Sequence, residues 1–332
     1  MKNKKEKSCS LNKFIMFLYN HRGLSVRMAL NVFKKNYALC ITHYELNYYL
    51  CSNNKKSYKN KKKMKLKNFK ILMLSLVVAL ASCGTSRTVP ITGRKQTLMV
   101  SDEQMLSLST EQYTKYMKTA KKSTDKTNTE MVLRVGQRLA NAVETYLKQN
   151  GLASELNGYK WEFNLVQDKS VNAWCMPGGK IVVYEGLLPI TQNESSLAIV
   201  LGHEIAHAVA KHSAEQLSKQ YKQQMGQQVA GAVLGAVIGT DAANIATWVG
   251  AQGLQLQNLK YSRDHENEAD HMGLILAAMA GYDPQVAVAF WQRMAAQGGG
   301  SSSDLFSDHP SDAKRIANIK RWMPEALKYY KK

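Results

Sequence analysis

The chain is short of three things, and each shortage narrows what it can be. Cysteine is scarce. There are five in 332 residues, and Cys9, Cys40 and Cys51 lie in the first 63. Only Cys83 and Cys175 follow, too few for a disulfide framework. Long apolar runs are missing as well. The stretches Ile71 to Ala81 and Val229 to Ile238 reach about half of the roughly 20 residues a membrane-spanning helix needs. Acidic residues are scarce only at the start, where residues 1–63 carry 15 Lys and Arg against Glu6 and Glu45. A formal charge of +20 spread over the whole chain would point to nucleic acid or an anionic surface. From residue 83 onward, however, 27 basic side chains face 23 acidic ones. The excess sits upstream, and a nucleic-acid-binding body is not expected.

What is present upstream has a recognisable form. Residues 64–83 read MKLKNFKILMLSLVVALASC. Lys65, Lys67 and Lys70 precede the apolar run and small residues close it, which are the parts of a secretory signal peptide. The end, Leu80-Ala81-Ser82-Cys83, resembles a bacterial lipobox. That resemblance implies that Cys83 becomes the first mature residue and carries lipid on its sulfur. The expected location is the cell envelope, at the outer membrane facing the periplasm. An export signal belongs at an N-terminus, so residues 1–63 read as a mis-assigned extension with Met64 the true start. A genuine basic extension is the alternative. The organisation expected is a signal over 64–82, a tether and start of the mature chain over 83–100, and a single domain over 101–332.

Within that domain, helical and strand periods alternate. Ser101 followed by Gln104 predicts a capping box. Val132, Val135, Leu139, Ala142 and Val143 share one helical face. Trp161, Phe163 and Leu165 alternate, as do Ile181 and Val183, which predicts two short strands around Pro177-Gly178-Gly179. Asp283-Pro284 predicts a helix N-cap with proline at the first helical position. Gly298 to Ser303 predicts a flexible loop. The glycine-punctuated stretch 226–254 predicts a helical pair packed over the functional site.

One motif carries chemistry. Residues 203–207 are His-Glu-Ile-Ala-His in an apolar setting that predicts a buried helix. Positions i and i+4 share a helical face, so His203 and His207 can direct two imidazoles at one cation. Glu204 lies close enough to act on a water at that cation, the zinc metalloprotease pattern. Catalytic zinc takes three protein ligands and keeps one position open. Glu266 and Asp270, again i and i+4, offer a third ligand and a carboxylate to orient a histidine. By spacing alone Glu268, Asp264 and His265 compete with Glu266. His212 lies too far round the same helix to ligate, and His265 and His271 read as packing or surface residues. Cys175 reads as a small buried hydrophobe.

Five stretches resemble one family. They are Thr92 to Arg94, Asn172 to Gly179, His203 to His207, Ser262-Arg263 with Glu266-x-x-Ala269-Asp270, and Asp308 to Ser311. Together they resemble the HExxH zinc metallopeptidases that include the CAAX prenyl proteases and HtpX proteases. The nearest likeness is to bacterial periplasmic lipoprotein members of the BepA and LoiP type. The resemblance implies an α+β fold, a mostly helical zincin-type metalloprotease domain with a small β-sheet whose edge strand borders the active site. It assigns the metal to His203, His207 and Glu266, with Asp270 behind them and Glu204 as general base. It places His309 near the metal, where it either assists catalysis or latches the enzyme. It assigns Asn172, Ala173, Trp174, Cys175 and Met176 to the strand along which a polypeptide substrate lies. The expected cofactor is Zn2+, one per chain, with manganese or iron open. The expected activity is cleavage of misfolded or misassembled envelope proteins. The alternative is a latched zinc-containing assembly factor.

Overall fold

In the computed structural model, the structure describes residues 85–232, 245–297 and 313–331. They fall within a unit that runs from Val78 to Lys332. Residues 1–63, the signal at 64–82, Cys83, the loop at 298–303 and His309 lie outside the described residues. The described part is mostly helical with small sheets.

Strands β1 (Thr85–Thr88) and β2 (Lys95–Leu98) open it as an antiparallel pair. Within the stretch 83–100 expected as tether and start of the mature chain, the polar residues 85–88 are therefore paired strand. Polarity misled because an edge hairpin exposes most of its side chains, and only alternate residues such as Gln96 and Leu98 turn inward. Helix α1 (Asp102–Thr119) starts on the expected capping box, Ser101 accepting from the Gln104 amide while Gln104 reaches back. Helix α2 (Lys126–Gln149) buries Val132, Val135, Leu139, Ala142 and Val143.

Three strands follow: β3 (Glu162–Val166), β4 (Ala173–Met176) and β5 (Lys180–Tyr184). The Pro177-Gly178-Gly179 turn joins β4 to β5 as an antiparallel pair, while β3 pairs with β5 in parallel. The sheet order is β3-β5-β4, so β4 is an edge strand. Alternation predicts only two of these strands, because β4 is too short and too uniformly buried to show it; the resemblance supplies the third, the edge strand at Asn172 to Met176. Gly178 and Gly179 both have positive φ, the backbone state that glycine adopts without strain.

This sheet is a wall between two apolar clusters. Ala173, Cys175, Ile181 and Val183 join α2 and the helices that follow on one face. Trp174, Met176, Val182 and Tyr184 join Met105, Leu108, Leu217 and Leu256 on the other. Burial on both faces explains why Val182, between Ile181 and Val183, is apolar as well.

Helix α3 (Glu194–Val209) is capped by Asn193, which accepts from the Ser196 amide at 2.8 Å. Helices α4 (His212–Ala232) and α5 (Ile245–Ala251) come next. Val249 of α5 joins the second cluster. Most of the apolar run 229–238 lies outside the described residues. Among the described residues no helix is long and apolar enough to cross a membrane. Helix α6 (Arg263–Met279) is capped by Ser262. Helix α7 begins at Val286 and ends at Gln297. Asp283 makes the expected cap contact just before it, with Pro284 following. Its carboxylate accepts from the Gln285 amide in a local turn, and the helix starts after that turn. Helix α8 (Ala313–Ala326) closes the described chain.

Candidate metal centre

The site forms where α3 meets α6. Gly202 and Gly273 let the two backbones touch. A Cβ on Gly202 would stand 2.7 Å from the Gly273 carbonyl oxygen, and one on Gly273 would stand 2.6 Å from the His203 nitrogen. Neither distance is tolerable, so hydrogen at both positions sets how close the helices come. That approach brings His203 and His207 of α3 against Glu266 and Asp270 of α6. Sequence reasoning passed over this glycine pair, because isolated glycines in a helix carry no pattern.

His203, His207 and Glu266 are all buried, and their ligand atoms lie within 4.8 Å of one another. The two Nε2 atoms are 3.1 Å apart. Glu266 Oε2 lies 3.4 Å from His203 Nε2, and Oε1 lies 3.5 Å from His207 Nε2. A tetrahedral zinc with bonds of roughly 2.0–2.1 Å separates its ligands by about 3.3 Å. The donor set therefore fits a divalent cation in both chemistry and spacing. Glu268 and His265, rivals of Glu266 by spacing, both face other partners. Asp264 starts the same helix outside the cluster.

Glu204 is buried beside this cluster. Its charge is felt by two neighbours. The Cys175 thiol is pushed well above its usual range by burial and then by Glu204. The Tyr261 phenol is raised by burial, against the Ser213 hydrogen bond, with Glu204 and Glu266 adding. Tyr261 stacks on the His207 ring at 4.2 Å between centroids. Its hydroxyl lies 2.8 Å from Ser213 Oγ.

Asp270 stands where expected, its Oδ1 2.9 Å from His203 Nδ1. Burial lowers the affinity of His203 for a proton, but hydrogen bonds to Asp270 and Glu266 outweigh it and raise the imidazole to about 9. Arg315 of α8 donates to Asp270 Oδ1 at 2.6 Å and lies over the Trp291 ring, 3.5 Å from its centroid. No sequence signal marked Arg315. It stands 112 residues from the histidine it supports.

Behind His207 stands His212, which spacing on a continuous helix does not place there. His212 Nδ1 lies 2.8 Å from His207 Nδ1. A continuous helix would carry His212 away from His207, but α3 ends at Val209 and Lys211 adopts φ 56°. The chain turns and α4 starts on His212, folded back onto α3. His212 Nε2 in turn lies 2.9 Å from Glu268 Oε2. Burial pushes the His212 imidazole down to about 4, so it is neutral at pH 7. Glu268 is held down at about 2. Burial opposes that shift, but hydrogen bonds from His212, Thr92 and Arg94 prevail. Arg94 spans Glu268 at 2.7 Å and Glu215 at 2.8 Å. His265 bridges to Glu215 at 3.2 Å and stacks on His212, a packing role as expected. His271 pairs with Glu325 on the surface.

The strand expected to hold substrate borders the same helix. All four β4 side chains are buried, and the Asn172 carbonyl accepts from the Tyr184 amide at 3.1 Å.

Comparison with known proteins places the chain among metallopeptidases. The profile of peptidase family M48 matches residues 131–323. The mitochondrial metalloendopeptidase OMA1 of Schizosaccharomyces pombe is 32% identical over 198 residues, covering 55% of this chain and 53% of that protein. The human mitochondrial metalloendopeptidase OMA1 is 30% identical over 284 residues, covering 81% of this chain and 53% of its own. The Escherichia coli metalloprotease YcaL is 28% identical over 194 residues, covering 56% and 68%. The chain thus spans about half the length of the two OMA1 proteins.

Proposed function

The chain belongs to peptidase family M48, and from that premise we propose that it is a zinc endopeptidase of the cell envelope, acting on misfolded or misassembled proteins. The observation that carries the reading is the meeting of His203, His207 and Glu266 beside Glu204 in one buried site. The lipobox-like end at Cys83 supports an anchored enzyme, facing the periplasm.

His203 and His207 offer Nε2 lone pairs and Glu266 a carboxylate, and a cation held there supplies Lewis-acid activation of water and of the scissile carbonyl. The chain's own residues do the rest. Glu204 accepts the proton of the attacking water as the water oxygen bonds to the carbonyl carbon. The C–N bond then breaks and Glu204 returns the proton to the leaving amine. Asp270 fixes the ring of His203. The substrate lies extended along β4, whose buried side chains leave backbone as the surface for pairing. Recognition of backbone explains how a quality-control enzyme accepts many sequences.

The test compares wild type with Glu204→Gln for zinc content and casein cleavage. The variant should keep its zinc and lose at least about a hundredfold in rate, the usual worth of a general base. Cleavage at the wild-type rate overturns the reading.

A further inference from the structure

We propose that His212 is a positioning residue for the metal, the middle member of a chain Arg94–Glu268–His212–His207 that fixes which nitrogen of His207 faces the cation. The proposal rests on the reading that His207 holds the metal.

The argument is one of hydrogen-bond direction. The Glu268 carboxylate faces the Arg94 guanidinium at 2.7 Å and can only accept. Its Oε2 lies 2.9 Å from His212 Nε2, so that nitrogen donates. A neutral imidazole with its proton on Nε2 has only a lone pair on Nδ1. That lone pair faces His207 Nδ1 at 2.8 Å, so His207 Nδ1 donates. His207 is then left with a lone pair on Nε2, the atom 3.1 Å from His203 Nε2 at the metal centre. Each proton is dictated by the one behind it, back to the carboxylate.

The carboxylate is held just as firmly. Arg94 Nε donates to Glu268 Oε2 at 2.7 Å, and Thr92 Oγ1 donates to Oε1 at 2.5 Å. Arg94 is itself fixed by Glu215 at 2.8 Å and 3.2 Å. The hairpin before the catalytic domain's first helix thus supplies the guanidinium behind a metal ligand 113 positions further along the chain. Partners behind a ligating histidine set its tautomer and ring orientation, and their loss commonly weakens metal binding 10–100-fold. Here the partner is a second imidazole with the carboxylate one ring further away.

Two variants of the full chain separate positioning from packing. His212→Phe keeps a ring in the buried slot and removes the acceptor. His212→Asn is smaller but keeps an amide oxygen able to accept from His207 Nδ1. Zinc dissociation constants are measured by chelator competition, with Co2+ absorption spectra as the report on ligand geometry and metal-free unfolding midpoints as the report on packing. Positioning predicts that the phenylalanine variant loses tenfold or more in zinc affinity and shifts its Co2+ spectrum. The asparagine variant should stay within about threefold of wild type, even if its midpoint falls further. Equal affinities in all three, or a loss that follows the midpoints, overturns the proposal. If the phenylalanine variant does not fold, the asparagine variant decides alone: near-wild-type affinity supports the chain and a tenfold loss overturns it. A wild-type protein that binds no zinc, or a His207→Ala variant that binds it normally, overturns the metal-site reading as well.

Discussion

His203 and His207 face one point, yet they are held from behind in different ways. His203 leans on a carboxylate directly, and that carboxylate on a guanidinium: Asp270, then Arg315. His207 leans on another imidazole, and only then on a carboxylate and guanidinium: His212, Glu268, Arg94. Both chains end in arginine because a carboxylate taken out of water needs a cation close by. They differ in where the negative charge stands. Beside His203 it touches the ring and strengthens its hold on a proton or a metal. Behind His207 it is one ring away, so it sets direction more than charge. The His203 side is also the more enclosed, with Arg315 buried where Arg94 is 32% exposed.

The largest effect should come from breaking the direct side. Asp270→Ala removes the acceptor behind His203 and takes a buried carboxylate partner from the Arg315 guanidinium, which also lies 3.9 Å from Glu266. Removing one partner of a buried ion pair costs about 3–5 kcal/mol. Zinc affinity should fall about a hundredfold, more than for His212→Phe. Chelator competition and denaturant unfolding on both variants check the order, and equal losses at the two histidines would mean that the two supports do not differ.

Gly273→Ala attacks both sides at once. The new methyl meets His203 nitrogen and Gly202 backbone within 3 Å, so α3 and α6 must part. Forced overpacking costs about 1–3 kcal/mol, and zinc binding should weaken with it. Unchanged metal affinity would mean that helix spacing does not govern the site.

The smallest effect is a pH effect on the Arg94 side. Glu215 and Glu268 are both held below the ordinary carboxylate range, burial opposing and their partners prevailing. For Glu268 these are His212, Thr92 and Arg94. For Glu215 they are His265, Arg94 and Lys219. A depressed folded pKa contributes stability above the unfolded value, near 4.5, and loses it as pH falls toward the folded one. Metal-free protein should therefore lose stability from about pH 4.5 down to about 2. Glu215→Gln should flatten that slope, measured by unfolding midpoints across the range. An identical slope in the variant would assign the acid sensitivity elsewhere.

Much of the centre could be read before any coordinates, and the reason is periodicity. His203 with His207, and Glu266 with Asp270, are spaced one helical turn apart, so each pair shares a face whatever the rest of the chain does. The Ser101 capping box and the apolar face of α2 are local in the same sense. What escaped was non-local or broke a local rule. His212 was dismissed on the assumption of one continuous helix, which the positive φ of Lys211 interrupts. Arg315 and Arg94 were ordinary charged residues until folding set them against buried carboxylates. The polar stretch before residue 89 carried no sign that it would pair as a strand.

By itself, then, the sequence determined the candidate ligands, their pairing on two helices and the class of chemistry, because α-helical geometry converts spacing into direction. Only the tertiary structure decided how the two helices meet and what stands behind each imidazole. Close approach depends on two glycines 71 positions apart, and the polar partners of a buried group come from wherever the folded chain brings them.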